Sequence, residues 1–234
     1  MKVVTETRPL IVRETRFGSW FQGTDIWVRH VLNAAFDELT GLIDQRRDSY
    51  PVVVDVGCGH GYAFRLLRDA FRPQRLIGVD YDPACLAAAR RRAAADRIGV
   101  EILQEDSASL SLASTSVDII FCHQTLHHLV QQDQALDEFH RILKPGGLLL
   151  LAESTKVFIY SWNVRWFFAH PMDMQRTAGE YLQLVRRHGF EFDDRHTSFP
   201  DPWWSYADLG MRDWLGFVGV SPPQKPSCDG CVRR

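Results

Sequence analysis

The residues best placed to do chemistry sit where apolar runs of the chain end. His123, His127 and His128 follow one such run in FCHQTLHHL (121–129). Imidazole titrates near neutral pH and can take a proton from an incoming nucleophile. His123 is the first candidate for that role, with lining a pocket as its alternative. His127 and His128 also suit packing or helix capping. Glu153 closes a second apolar run and is expected to point toward the same site. Upstream, VVVDVGCGHGY (52–62) carries a β-branched run into Gly57-Cys58-Gly59-His60-Gly61. Glycines permit a tight turn and let a ligand approach the backbone. A helix start behind them offers free N–H groups. Such a turn alone can hold a dinucleotide, or simply pack. Asp80, about 20 residues on, ends the next run, where a carboxylate can accept from ribose hydroxyls. Asp106-Ser107 end a third.

These positions require alternating strands and helices. Residues 24–47 have helical apolar spacing, with Thr24 or Asp25 as cap. Strands are predicted at VVVDVG (52–57), 76–80, 100–106, 117–122 and 148–153. Helices are predicted at about 62–71, 83–97, 133–143 and 176–188. KPGG (144–147) makes a turn before the fifth strand, and FEFDDRHTSF (190–199) reads as another strand. Short connections and continuous apolar strands point to an α/β fold, a mostly parallel central sheet with helices on both faces. Residues 1–49 form an N-terminal cap and helix, 50–220 the main domain with an aromatic insert at about 154–174, and 221–234 a disordered tail.

The formal charge of -2 and the absence of a basic stripe argue against nucleic acid as a partner. No apolar run reaches the ~18 residues of a membrane span. The N-terminus lacks a signal-peptide core, and the odd number of cysteines, 5, suits a reducing, cytoplasmic setting. Cys228 and Cys231 form a CDGC pair without the further ligands of a zinc site. It is read as incidental, with a redox or metal role as the alternative. No carboxylate cluster in the acceptor loops points to a metal, so none is expected.

DVGCGHG (55–61), VDYDP (79–83), QED (104–106), DIIFCHQTLHHL (118–129) and ILKPGGLLLLAE (142–153) together resemble the class I S-adenosylmethionine (SAM)-dependent methyltransferases, over roughly residues 50–196. The resemblance implies a Rossmann-like fold and SAM as cofactor. It implies that Gly57, Gly59 and Gly61 wrap the methionine part of SAM, with Asp55 near its ammonium. Asp80 then binds the ribose, Tyr81 flanks the adenine, and Asp106 accepts from the adenine amino group, with Ser107 nearby. His123 lies near the sulfonium. His123 and Glu153 are the expected catalytic residues.

Trp20, Phe21, His127, Tyr160, Trp162, Trp166 and His170 are the expected acceptor contacts. Arg165 and Arg176 are further candidates to anchor an acid. The aromatic groups, which include Trp203, Trp204 and Tyr206, suit a largely apolar small molecule or a cationic amine, or simply pack the decoration onto the core. FGSWF (17–21), FCHQTLHHL and AEST (152–155) are similar to bacterial enzymes that methyl-esterify 3-hydroxy fatty acids. The expectation is O-methylation of a small, largely apolar acceptor, a fatty-acid-like carboxylate in particular, by a monomer or homodimer. The alternatives are N- or C-methylation of an aromatic or amine metabolite, and a non-catalytic SAM-binding partner protein.

Overall fold

A computed structural model of the chain describes residues 15–198 and 214–220. Trp203, Trp204, Tyr206, the Cys228/Cys231 pair and the expected tail at 221–234 lie outside the described residues. Five parallel strands form the body of the sheet: β1 (Val52–Val56), β2 (Arg75–Asp80), β3 (Glu101–Gln104), β4 (Val117–His123) and β5 (Leu143–Ser154). The short β6 (Thr197–Ser198) and β7 (Trp214–Val220) complete it. The order is β3-β2-β1-β4-β5-β7-β6, with β7 antiparallel to β5. The direction of winding reverses between β1 and β4. In such sheets a crevice opens there, beyond the carboxyl ends of the strands.

Every residue of β4 is buried, as a strand covered on both faces must be. The two-residue period of the strands then sorts side chains between two cores. Val54, Val56, Ile120, Cys122 and Leu151 meet α6 (Gln132–Ile142) and α9 (Ala178–Arg187) on one face. Val53, Ile119, Phe121 and Leu150 meet α3 (Asn33–Gly41), α4 (Phe64–Phe71) and α5 (Pro83–Ala95) on the other. Asp82 caps α5 by accepting from the Ala84 N–H, and Pro83 follows at the first turn, where its missing N–H is not needed. Thr177 and Glu180 form a reciprocal capping box that starts α9.

The N-terminal decoration is α1 (Arg16–Gln22), then α2 (Asp25–Trp27), which passes through a π-helical turn, Val28–Leu32, into α3. The insert after β5 contains α7 (Lys156–Ile159) and α8 (Trp162–Phe167). No helix among the described residues is long and apolar enough to cross a membrane.

Three expectations change. The helix predicted through 47 stops at Gly41. Beyond it Arg46 and Arg47 leave the helical path to donate to the carbonyls of Ala70 and Gly146. Lys144, in the predicted KPGG turn, already belongs to β5, and its ammonium binds Asp118 at 2.8 Å. A register irregularity opposite Val117–Ile119 absorbs the extra residues. Of the strand predicted at 190–199, Thr197–Ser198 form β6, whereas Asp194–His196 make a 3-10 turn, because Asp193 accepts from the Arg195 N–H and caps it. The glycine-interrupted strand β7 was not anticipated.

Candidate active site

Two chain reversals meet over the crevice. After β1 the backbone turns back on itself, and the N–H groups of Gly57 and Cys58 both donate to the Val79 carbonyl at the end of β2. Gly57 has φ +73°, and a Cβ there would lie 2.0 Å from Thr125 Oγ1. Only glycine lets this loop rest on the turn that follows β4. Gly59 differs. Its φ is +51°, and a Cβ would meet nothing nearer than the Gly57 carbonyl at 4.0 Å. Its open side faces the cleft. Gly61 lies behind the loop, against the Phe64 ring.

Asp55 lies one residue before the end of β1, with 3% exposure. Its Oδ2 is buried without a hydrogen-bond partner, and it lines the cleft with His123, Gly57 and Gly59. Burial, and secondarily the Asp80 carboxyl, push the Asp55 carboxyl up to about 8. Asp80 accepts from Gly59 N and Asp82 N, both at 2.9 Å, and burial raises its pKa as well. The buried Asp55 and the half-buried Asp80 thus both border the cleft.

His123 ends β4. Its ring stacks on Phe121 at 5.9 Å and 17°, and Trp27 stands 5.6 Å away. Its Nε2 is buried without a partner. Burial, with His127 second, lowers its pKa to about 3. The imidazole is therefore neutral, and a weak base. Gln124 follows with φ +54°, rare for a side chain of this kind. Its backbone N–H donates to the Ala152 carbonyl, and Ser154 Oγ donates to its Oε1.

Glu153 is corrected by the structure. It is 0% exposed, and it holds the turn after β4 instead of facing an acceptor. Oε1 accepts from the N–H groups of Thr125 at 3.0 Å and Leu126 at 2.8 Å. Oε2 accepts from the His127 N–H at 3.3 Å and pairs with His127 Nδ1 at 2.5 Å. Glu153 is a positioning residue for the turn and for the His127 ring.

The cleft extends past the glycine loop along Asp80, Tyr81, Ser107 and His128, with a volume of about 230 Å³ in this arm. Of the expected cofactor residues, Asp55, Gly57, Gly59, Asp80, Tyr81, Ser107 and His123 line it. Asp106 directs Oδ1 to the Ala108 N–H, and its neighbour Ser107 takes the wall position. Sequence reasoning missed Trp27, Tyr62, Gln124 and Thr125. Tyr62 lies under the Arg92 guanidinium at 3.7 Å and reaches the Gly23 carbonyl, joining the N-terminal helices to the loop.

The expected acceptor contacts divide. Trp162 and Trp166 are 66% and 81% exposed, and Tyr160 directs its hydroxyl to the Met172 carbonyl. These three stand away from the cleft. Phe21 packs edge-on against Phe168, and Phe17 against Phe167, so these rings join α1 to the insert. Trp20 borders a groove at the rim with His60, Tyr62 and Arg92. His170 packs against His127 and His128.

Residues 54–151 match the family described as a methyltransferase domain. The chain is 34% identical over 160 residues to malonyl-[acyl-carrier protein] O-methyltransferase 1 of Coxiella burnetii, covering 67% of this chain and 54% of that protein. It is 31% identical over 169 residues to a fatty-acid O-methyltransferase of Mycolicibacterium smegmatis, covering 71% and 59%. The chain spans about half the length of the curated relatives it matches. The crystal structure of a SAM-dependent methyltransferase from Mesorhizobium loti superposes with a TM-score of 0.64 at 19% identity, over 80% of this chain and 97% of that one, which establishes the fold. By its glycine loop, its strand order and these likenesses, residues 54–151 form a methyltransferase domain, carried on the fold of the class I SAM-dependent methyltransferases.

Proposed function

We propose that the chain methylates the carboxylate of a small, largely apolar acid, one resembling a fatty acid, as a cytoplasmic SAM-dependent O-methyltransferase. The residues at the cleft fit SAM. The partnerless oxygen of Asp55 suits a cationic ammonium, and the open side of Gly59 admits a ligand against the backbone. SAM supplies a methyl group already activated on a positive sulfonium. Asp55 then binds the ammonium, the glycine loop wraps the amino-acid end, and Asp80 and Ser107 stand along the nucleoside arm. The chain's contribution to rate is alignment, which can lower a barrier by ~7–11 kcal/mol.

The observation that carries the choice of acceptor is the state of His123. A buried imidazole with its pKa lowered to about 3 does not readily deprotonate an alcohol or phenol. A carboxylate arrives ionised at neutral pH and needs no base. Two O-methyltransferases among the relatives, one of a malonyl carrier and one of fatty acids, support the same acceptor chemistry.

The test supplies SAM with medium-chain 3-hydroxy acids, with the corresponding alcohols, and with phenols. S-adenosylhomocysteine release and ester mass are followed. Carboxylates are expected to turn over, and His123→Ala to lower that rate by less than about 10-fold. A phenol-methylating enzyme that used His123 as its base would lose about 100-fold or more. Turnover of phenols in preference to acids, or no turnover of any acid, sinks the proposal.

A further inference from the structure

His127, His128 and His170 come from two segments 42 residues apart, yet their ring nitrogens lie within 4.8 Å of one another. We propose that these three imidazoles form a site for a divalent transition ion such as Zn2+, where the turn after β4 meets the insert after β5. This replaces the expectation that the chain binds no metal.

Four features of the cluster support the assignment. The rings are gathered closely: His127 and His128 have centroids 4.3 Å apart, and His128 and His170 stack at 4.8 Å. Tetrahedral zinc, with Zn–N near 2.0–2.1 Å, places its ligand nitrogens about 3.3 Å apart. The cluster thus stands within about 1.5 Å of closure. Secondly, His170 also faces His127, at 5.2 Å between centroids, so each ring meets the other two.

Thirdly, His127 is oriented as metal-bound histidines are. The other partners of Glu153 are donors, three backbone N–H groups and the Cys122 thiol, so His127 Nδ1 donates to it across 2.5 Å and Nε2 keeps its lone pair. A carboxylate behind a ligating imidazole fixes its tautomer and raises its basicity.

Finally, the two segments are braced. Gln175 Nε2 donates to the carbonyls of His127 and Pro171, at 2.8 and 3.0 Å. Gln132 Nε2 donates to those of Leu126 and Met174, both at 3.1 Å, and Arg176 holds the Gln132 Oε1 at 2.7 Å.

His128 also lines the cleft occupied by Gly59 and Asp80. Three protein ligands leave a fourth position on zinc for water or substrate. An acceptor carboxylate oxygen is suited to fill it. That use of the ion rests on the proposed function; the presence of the site does not.

The full chain, freed of metal by chelation, is titrated with Co2+ and Zn2+ by calorimetry and by the visible absorption of cobalt. S-adenosylhomocysteine binding is measured on the same samples. One equivalent of ion is expected. His128→Ala and His170→Ala should each weaken it by about 100-fold or more, and Glu153→Gln by about 10- to 100-fold. Cys228→Ser/Cys231→Ser should leave it in place. A cooperative urea unfolding transition verifies that each variant is folded. Absence of ion binding by the unaltered chain overturns the site, as does binding that survives both histidine variants or disappears only with the cysteines. Failure of the chain to bind S-adenosylhomocysteine sinks the methyltransferase reading and leaves the ion titration to decide the site.

Discussion

The loop after β1 and the turn after β4 perform the same task by different means. Both reverse the chain over the crevice, and they touch through Gly57 and Thr125. The first is held chiefly by backbone, with two N–H groups on one carbonyl of β2 and a third, of Gly59, on the Asp80 carboxyl. The second is held by side chains, Glu153 from β5 on its N–H groups and Gln132 and Gln175 on its carbonyls. Their buried carboxyls differ accordingly. Glu153 is surrounded by donors, whereas Asp55 keeps an oxygen with none. A buried carboxyl whose needs are met inside the protein is part of the scaffold, and one left unmet is where a cation from outside belongs.

This contrast can be broken at three points, in descending order of expected effect. Glu153→Ala leaves several buried N–H groups without an acceptor, at ~1–3 kcal/mol each. It should lower stability in urea denaturation by about 3 kcal/mol or more. A loss below about 1 kcal/mol would show that Glu153 does not hold the turn.

Gly57→Ala puts a methyl group into Thr125 and an alanine at φ +73°. It should weaken S-adenosylhomocysteine binding by about 100-fold, or about 2.7 kcal/mol, by calorimetry. Unchanged affinity would mean that the loop need not rest on the turn.

Asp55→Asn probes the unmet oxygen with a smaller effect, a loss of about 10-fold in SAM affinity at pH 8. The pH dependence sharpens it. The folded chain keeps Asp55 protonated up to about 8, while the unfolded chain ionises it near 3.8. The native state therefore binds the extra proton in that interval, and stability from this group falls as pH rises from 3.8 to about 8. SAM binding favours the ionised form, so wild-type affinity should increase with pH up to about 8 and then level. The asparagine variant should lose this slope. A slope that persists in it would assign the titration to another group.

Much of the first region was legible in the sequence because its determinants are local. The β-branched run, the glycine spacing and Asp80 lie within thirty residues, and each acts through its own backbone position. The parallel sheet was legible for the same reason, since fully buried strands read as unbroken apolar runs. The second region was not. Glu153 reaches the 125–127 turn from the end of a different strand, and nothing in either stretch marks the pairing. Gln124 carries no sign of its left-handed backbone. The aromatic residues misled because ring chemistry suits a pocket and a helix seam equally well. Exposure of Trp162 and Trp166 is decided by tertiary placement.

The π-helical turn at Val28–Leu32 has a consequence for how the lid over the crevice is built. An α-helix advances about 100° per residue, so one residue accommodated inside a helix rotates everything beyond it by that angle. Ahead of the widening, Trp27 is aimed at the His123 ring; past it, Phe36 and Leu39 are aimed at the sheet. A single continuous rod thereby serves two faces set at different azimuths. Removing one residue from this stretch would restore an even pitch and force a choice between seating the rod and closing the roof.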